Sequence, residues 1–318
     1  MKIKLIAASI AIMMMGSCKP AIKQAPEHTQ TLQDDSVGSE YVLAQWTFNK
    51  ALFAGDMTTF DFVNKAADMG FVGVEYVNQF FREELENESY LRNLASLAKE
   101  RGIKNTLLMV DLTDVQLGDA DAQDRQKAID LHKKWIVAAS QMDCPTIRVN
   151  AFGSSTGQAM FDNMFESVKE LLSFGKKYGV SVIIENHGRF SSDADWLVRL
   201  VEELVPYGGG SLADFDNWCI EREGGAMWGA PCIKEYDRYE GMQKLLPTAR
   251  SVSLKAFDFD GDGDAIKTDF KRMFELIKAA QYDEYLAVEF EGHDMDPIEG
   301  IRKTLELCRR YDANAPKL

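Results

Sequence analysis

The sequence has little proline and no surplus of basic charge, and both shortages narrow the class of protein. Only 8 Pro and 23 Gly occur among 318 residues, 46% of which are hydrophobic, so collagen-like, low-complexity and wholly disordered classes are excluded. Lys and Arg number 36 against 50 Asp and Glu, which gives a formal net charge of −14. Such a surface repels phosphate backbones, so we expect no nucleic-acid partner.

Long apolar runs and several common motifs are also missing. The longest apolar run, residues 5–15, is shorter than the roughly 20 residues that span a bilayer as a helix. No G-x-G-x-x-G or P-loop follows any predicted strand, which removes the usual signatures of dinucleotide and nucleoside triphosphate sites. No C-x-x-C pair occurs, so a zinc knuckle and a thioredoxin-like motif are excluded.

Residues 1–17 have the features of a targeting segment. Lys2 and Lys4 precede the apolar run, which predicts a signal peptide over residues 1–17. Small residues before Cys18 resemble the lipobox of bacterial lipoproteins, in which the thiol is acylated; an ordinary secretory signal with an incidental cysteine is the alternative. Residues 18–39 are polar and aperiodic, as in a tether. We expect an exported protein, periplasmic or membrane-anchored only through lipid at Cys18, with its folded domain over residues 40–318.

From residue 40 the chain alternates short β-branched or aromatic runs with longer amphipathic stretches. Several short runs are almost continuously apolar, as in parallel strands covered on both faces. The longer stretches repeat apolar residues every three or four positions, as helices do. Eight such units predict a single (β/α)8 TIM barrel of the α/β class. The predicted strands cover residues 41–48, 71–77, 104–110, 146–152, 180–186, 209–215, 251–257 and 284–290.

Charged residues stand at the ends of the last four predicted strands, where barrel enzymes place their chemistry. Glu185, Asp214 and Glu289 end the fifth, sixth and eighth strands, and Lys255 lies near the end of the seventh. A buried strand has no structural use for an unpaired carboxylate, because its burial is costly. We therefore expect a functional cluster at the barrel mouth; the structural alternative is a salt-bridged network around Lys255.

Other polar residues are candidates for substrate binding. Arg148 and Asn150 alternate on the fourth strand and so share a face, where they are predicted to grip hydroxyls or a carboxylate. Glu75 on the second strand is a further candidate, with pairing to Arg148 as its structural alternative. His187 follows Glu185 closely and is predicted to be a proton shuttle, a substrate contact or a structural histidine.

The remaining histidines and cysteines are less firmly placed. His132 is expected on an outer helix, whereas His293 lies within reach of the mouth. Cys219 and Cys232 flank one long segment and are expected either to pair in an oxidising compartment or to stay as buried thiols. The segment itself, which carries Trp228, is long for a loop at this face and predicts a lid or binding loop.

Residues 258–269 match a calcium-binding loop in part. DFDGDGDAIKTD fits the acidic spacing of such a loop, but its last position is Asp269 rather than Glu, and a strand leads into it. We therefore interpret the segment as a connection in which Asp269 caps the next helix.

Over residues 41–311 the sequence resembles the sugar phosphate isomerase/epimerase family of xylose isomerase-like TIM barrels. The resemblance is carried by GFVGVEY, RVN, IENHG, LADFDNW and VEFEG on successive strands. In the metal-dependent epimerases of that family, a Glu, an Asp, a His and a Glu on strands 5 to 8 hold one divalent cation. The resemblance implies that Glu185, Asp214 and Glu289 are ligands of Mn, Zn, Co or Mg, and that the two glutamates act as acid and base.

The chain departs from that family at two positions. Lys255 stands where the family has the ligating His, and Asn217 stands where it has a substrate-binding His. Two accounts follow: a metal with three protein ligands and Lys255 beside it, or Lys255 as the cation that holds Glu185, Asp214 and Glu289 together and polarises a carbonyl.

The sequence thus predicts an enzyme that acts on a small carbohydrate. The leading hypothesis is an isomerase or epimerase that moves a proton next to a carbonyl through an enediolate, on a non-phosphorylated sugar. Cleavage of 3-keto-glycosides and non-catalytic sugar binding are the alternatives. Oligomeric state does not follow from the sequence.

Overall fold

Eight parallel strands close into a barrel in the computed structural model, which describes residues 41–312. The predicted signal peptide and tether lie outside these residues. Around the barrel the strand order is β1-β2-β3-β4-β5-β6-β9-β10, which returns to β1 and confirms the predicted fold. The barrel strands are β1 (Tyr41–Ala44), β2 (Gly73–Val77), β3 (Lys104–Val110), β4 (Thr146–Val149), β5 (Ser181–Glu185), β6 (Gly210–Asp214), β9 (Ala249–Ala256) and β10 (Tyr285–Phe290).

Amphipathic helices cover the outside of the barrel, and their caps explain where they begin. Thr58 and Asp61 form a capping box at the start of α2, and Asp121 caps α4 through two backbone N–H groups. None of the helices within residues 41–312 is long and apolar enough to cross a membrane. The helices are α1 (Asn49–Ala54), α2 (Thr59–Asp68), α3 (Glu88–Glu100), α4 (Ala122–Gln141), α5 (Gly157–Gly175), α6 (Ala194–Leu204), α7 (Arg238–Leu245), α8 (Phe270–Ala279) and α9 (Pro297–Tyr311).

Several predicted strands extend beyond the observed ones, and the excess residues turn at the mouth. β1 ends at Ala44 and continues as a 3-10 turn over Gln45–Phe48, which brings Trp46 to the barrel mouth. β4 ends at Val149, so Asn150 follows the strand rather than lying within it. The strand predicted over residues 104–110 agrees with β3 at both ends.

The long segment after β6 folds as an antiparallel hairpin of β7 (Cys219–Arg222) and β8 (Cys232–Glu235). A disulfide joins Cys219 to Cys232, so these two cysteines pair rather than remain free, whereas Cys144 and Cys308 are buried free thiols. Trp218 is fully buried beneath the hairpin.

The acidic connection between β9 and α8 is held by the protein's own groups. Asp269 accepts a hydrogen bond from the backbone N–H of Arg272, as expected of the cap of α8. The Asp264 carboxylate pairs with Arg310 at 2.9 Å and accepts a hydrogen bond from the Tyr311 hydroxyl. These contacts favour the interpretation of the segment as a structural connection.

Candidate active site at the barrel mouth

Lys255 lies at the centre of a cluster of buried carboxylates. It comes from β9, the seventh barrel strand, and its side chain is only 4% exposed. Its ammonium nitrogen is 3.3 Å from Asp214 Oδ2, 3.7 Å from Glu289 Oε2 and 3.1 Å from Glu291 Oε1. Burial alone would lower the pKa of Lys255, but the three carboxylates raise it well above its usual value. The ammonium therefore stays charged at neutral pH.

Asp214 supports Lys255 from behind rather than facing the cavity. Its side chain is fully buried, and its Oδ1 accepts hydrogen bonds from the backbone N–H groups of Asp216 and Asn217 at 2.8 and 2.9 Å. Its Oδ2 lies near Lys255 but has no hydrogen bond of good geometry. Asp214 thus fixes the turn after β6 and supplies negative charge to the ammonium.

Glu185 is held between an amide and a guanidinium at the end of β5. Asn217 Nδ2 donates a hydrogen bond to Glu185 Oε1 at 3.0 Å. The Arg148 Nε is 2.8 Å from Glu185 Oε2, but its N–H does not point at that oxygen, so the contact is an ion pair without a hydrogen bond. Both atoms are buried and have no hydrogen-bond partner among the described residues.

The two glutamates at the mouth have raised pKa values. Burial raises the pKa of Glu185 to about 7, against the lowering effect of Arg148. Burial also raises the pKa of Glu289 well above its usual value, and Lys255 opposes this shift only in part. Glu289 accepts a hydrogen bond from the Ser253 hydroxyl at 2.7 Å. Carboxyl groups that exchange protons near neutral pH are suited to general acid–base catalysis.

A second polar network connects β3, β4 and β5. Arg148 Nη1 is 2.6 Å from Asp111 Oδ1, and Asn150 Nδ2 donates to the same oxygen at 2.7 Å. Asn150 Oδ1 accepts a hydrogen bond from Arg148 and lies 2.8 Å from His187 Nδ1. Burial and then Arg148 lower the pKa of His187 to about 3, so this histidine is neutral.

These side chains surround one cavity of about 700 Å³ with two unlike sides. Its lining includes Arg148, Asn150, Glu185, His187, Asn217, Lys255, Glu289, Glu291 and His293. At the ends of β1, β2 and β3 the lining combines apolar side chains (Trp46, Val77, Met109 and Leu112) with polar ones (Gln79, Asp111 and Thr113). On the side of β5, Trp228 of the hairpin packs against His187 with ring centroids 4.7 Å apart. The mouth therefore offers charged groups to one part of a ligand and a mixture of apolar, aromatic and polar groups to the rest.

Glu75 does not reach this cavity. Glu75 lies two positions before the end of β2. Val77, the last residue of that strand, lines the mouth cavity instead. Its Oε1 accepts a hydrogen bond from Ser251 at 2.5 Å, and the residue lines a separate cavity of about 310 Å³ at the opposite end of the barrel. Arg148 pairs with Asp111 and Glu185 instead of Glu75. Burial raises the pKa of Glu75 to about 7.

His132 and His293 are placed as the sequence indicated. His132 is buried on α4 with Nδ1 2.8 Å from the Ala128 carbonyl oxygen, away from the mouth. His293 lies at the rim of the mouth cavity.

Sequence reasoning missed two acidic residues of the site. Asp111 is the first residue after β3, and Glu291 is the first residue after β10. The rule that found Glu185, an acid at the carboxyl end of a buried strand, applies to Asp111 equally well. Asp111 pairs with Arg148, and Glu291 is the closest carboxylate to the Lys255 ammonium.

The carboxylates of the mouth are already paired with the protein's own cations. Among residues 41–312, no group of three or more His, Cys, Asp or Glu side chains is arranged to hold a metal ion. The ammonium of Lys255 takes the central position among Asp214, Glu289 and Glu291, and Arg148 takes the side of Glu185.

A closed (β/α)8 barrel whose titratable groups converge at the carboxyl ends of its strands has the arrangement on which TIM barrel enzymes build their sites. The family model for xylose isomerase-like TIM barrels matches residues 63–311, most of the chain. This protein therefore belongs to the xylose isomerase-like TIM barrel family, which confirms the resemblance drawn from the sequence. A search of curated protein sequences found no significant match.

Solved structures share the fold at low sequence identity. A sugar phosphate isomerase/epimerase from Parabacteroides distasonis has a TM-score of 0.64 at 12% identity, covering 87% of this chain and 96% of that one. A D-psicose 3-epimerase from Clostridium cellulolyticum H10 has a TM-score of 0.63 at 14% identity, with 86% and 98% covered. A 3-keto-D-glucoside 4-epimerase from E. coli has a TM-score of 0.59 at 17% identity, with 79% and 94% covered. At such identities the likeness describes the fold alone.

Proposed function

We propose that this protein is a sugar isomerase or epimerase that transfers a proton at the carbon next to a carbonyl. The observation that carries the proposal is the convergence of Glu185, Lys255 and Glu289 on one cavity, where both glutamates have raised pKa values and the ammonium lies 3.7 Å from Glu289. Family membership and the named sugar epimerases among the structural neighbours support the reaction class.

The reaction follows from the charge states of these three side chains. Glu185, ionised in part near neutral pH, removes a proton from the carbon next to the carbonyl. The electron pair of the broken C–H bond forms the double bond of an enediolate, and negative charge passes to the carbonyl oxygen. The Lys255 ammonium stabilises that charge. Glu289, whose pKa burial also raises, returns a proton to the opposite face of the same carbon, which gives the epimer. In an isomerisation the proton of the enediolate hydroxyl moves to the other oxygen, and Glu289 returns its proton to the neighbouring carbon.

Lys255, rather than a resident divalent cation, supplies the positive charge in this proposal. Hard divalent cations require several oxygen or nitrogen ligands that are free to coordinate. Here the ammonium is within 3.7 Å of three carboxylates, and a lysine ammonium has no lone pair to donate to a metal. The residues present therefore do not fit the four-ligand metal site of the metal-dependent epimerases.

We propose a substrate without a phosphate group. The two cations nearest to the reacting groups are both engaged, Lys255 by its three carboxylates and Arg148 by Asp111 and Glu185. Lys267, at the rim, pairs with Asp216 at 2.6 Å. A phosphate would have to compete with carboxylates for these three cations. Arg222, which also lines the cavity, is occupied by the Ala230 carbonyl oxygen and the Trp228 ring.

Cleavage of a keto-glycoside is the second candidate, and the aromatic residues of the cavity favour it. β1 and β5 are opposite each other in the barrel, and Trp46 follows the first while His187 and Trp228 lie over the second. Aromatic rings on two sides suit a sugar that carries a further ring or apolar group. The same enediolate would then expel the group at C1 instead of being reprotonated.

We also propose that the protein is exported and anchored by lipid at Cys18. The disulfide between Cys219 and Cys232 supports the proposal, because such bonds persist in oxidising compartments and are rare in the cytosol.

Solvent exchange tests the proposed chemistry directly. The protein is incubated in D₂O with a panel of ketoses, aldoses and 3-keto-glycosides, and carbon-bound deuterium is measured by mass spectrometry and NMR. We expect deuterium in the reacting sugar and a loss of about 100-fold or more in Glu185→Gln and in Glu289→Gln, since each removes a proton-transfer group.

Glu306→Gln, at an exposed position of α9, is the matched control and should retain the wild-type rate. Isomerised sugar identifies the isomerase, whereas a released aglycone identifies the cleaving enzyme. Exchange that survives in both mouth variants, with their folds intact by circular dichroism, would contradict the mechanism. Sugar binding without any exchange would favour the non-catalytic alternative.

A further inference from the structure

The amide of Asn150 can have only one orientation. Its nitrogen donates to the Asp111 carboxylate at 2.7 Å, and its oxygen accepts from the Arg148 guanidinium at 3.1 Å. The flipped amide would direct its oxygen at the carboxylate and its NH₂ at the guanidinium, and both contacts would be repulsive. Asn150 Oδ1 is therefore a fixed acceptor.

This fixed acceptor determines the tautomer of His187. The His187 Nδ1 lies 2.8 Å from Asn150 Oδ1, and two lone-pair atoms cannot form a hydrogen bond with each other. Nδ1 must therefore carry the hydrogen. In the neutral ring, Nε2 is then an acceptor without a proton. No hydrogen bond within residues 41–312 reaches Nε2.

Aromatic packing holds the imidazole ring in place at the cavity wall. Phe152 stacks near the ring with centroids 5.9 Å apart, and Trp228 lies 4.7 Å away. The next residue, Gly188, has φ of +98°, and a Cβ there would be 3.4 Å from the Trp228 ring. Glycine at this position thus allows the positive φ of the turn that precedes the contact with Trp228.

We propose that His187 orients the substrate by accepting a hydrogen bond from one of its hydroxyl groups at Nε2, and that Asn150 is the positioning residue that makes this acceptor obligatory. The inference rests on the proposed function and adds to it a hydrogen-bonding pattern that orients the substrate. Lys255 and Arg148 offer only donors to the cavity, whereas His187 offers only an acceptor. A hydroxyketone therefore places its carbonyl oxygen towards the cations and a hydroxyl towards His187.

The tautomer can be measured without any substrate, so a failure here is distinct from a failure of the proposed function. The protein is labelled with ¹⁵N-histidine, and the ring nitrogens are observed by NMR at pH 7. Spectra of His187→Gln and His132→Gln assign two of the four histidines. We expect Nδ1 of His187 to be protonated and Nε2 to be bare.

His132 is the internal reference, because its Nδ1 faces the Ala128 carbonyl oxygen and must also carry the hydrogen. In Asn150→Ala the acceptor is gone, so His187 should no longer be confined to one tautomer, whereas the tautomer of His132 should not change. An Nε2–H tautomer or an imidazolium at position 187 in the wild type would overturn the inference. So would an unchanged tautomer in Asn150→Ala.

Kinetics with the sugar found by solvent exchange test the role in binding. His187→Phe keeps an aromatic ring beside Trp228 but removes the acceptor, and we expect KM to rise about tenfold with a smaller change in kcat. His187→Gln keeps an acceptor atom and should recover part of the loss. Equal KM values in wild type and His187→Phe would contradict the substrate-orienting role.

Discussion

At the scale of single residues, the ion pairs between buried carboxylates and the two cations Arg148 and Lys255 define the site. Alternation along the fourth strand predicted that Arg148 and Asn150 share a face, and both contact Asp111. Their predicted role in substrate binding stays a prediction. The sequence did not predict that Glu75 lies too deep to join them. Depth within a barrel depends on strand tilt and stagger, which residue spacing along one strand does not reveal.

The buried Glu75 gives a prediction for stability. Its pKa is 4.5 when unperturbed and about 7 in the folded protein, so the folded state retains a proton that the unfolded state loses between these pH values. The stability that this carboxyl contributes is therefore full below pH 4.5 and is lost as the pH rises through 7. Glu75→Gln should raise the free energy of unfolding at pH 8 by up to about 3 kcal/mol.

Chemical denaturation at pH 8 and pH 4.5 checks this expectation. At pH 4.5 the wild-type carboxyl is already neutral in the folded state, so the variant should differ little there. A variant that is less stable than wild type at pH 8, or equally changed at both pH values, would contradict it.

At the scale of secondary-structure elements, the charged residues of the candidate site lie at the strand ends, and the hairpin covers the side of the mouth near β5. The sequence located all eight barrel strands because their apolar runs are nearly continuous. It did not single out α3 and α7, and it predicted the segment after β6 only as a long loop. The hairpin's register depends on a disulfide that residue spacing left open, and two-stranded hairpins have little stability of their own.

Reduction of the disulfide should loosen the hairpin and leave the barrel intact. We expect trypsin to cleave after Arg222 and Lys234 much faster in dithiothreitol, because only the β7–β8 pairing and non-covalent contacts such as Trp228 with His187 then hold the segment. Mass spectrometry of the fragments over time measures the rates at these two sites.

Cys219→Ser supplies the matched control without any reductant and should behave like the reduced protein. Cleavage at the hairpin that is equally fast with and without the disulfide would show that the bond does not restrain the segment carrying Trp228.

At the scale of the whole molecule, the sequence predicted the fold but only part of the charge pairing at the barrel mouth. The (β/α)8 fold followed from the eightfold repeat of strand and helix patterns. The acid–base candidates Glu185 and Glu289 followed from their places at strand ends. The contacts of Lys255 with Asp214 and Glu289 were one of the two accounts drawn from the sequence. The pairing of Arg148 with Asp111 did not follow, because these residues come from different strands and meet only when the barrel closes.

Lipid anchoring gives a prediction for the complete chain. In a bacterial host that processes lipoproteins, the wild-type protein should fractionate with membranes and begin at an acylated Cys18. Cys18→Ser should shift the protein to the soluble fraction, since the acceptor thiol is gone. A wild-type protein that is soluble and cleaved elsewhere would contradict the anchor.

Metal content tests most directly the central claim that Lys255 supplies the positive charge of the site. The protein is purified without chelator, soaked with manganese, zinc, cobalt or magnesium, desalted and analysed by elemental mass spectrometry beside Lys255→His. That variant restores the Glu, Asp, His and Glu set of the metal-dependent epimerases. We predict far less than one equivalent in the wild type and close to one in Lys255→His. One equivalent in the wild type, lost in Glu185→Gln or Glu289→Gln, would contradict the account.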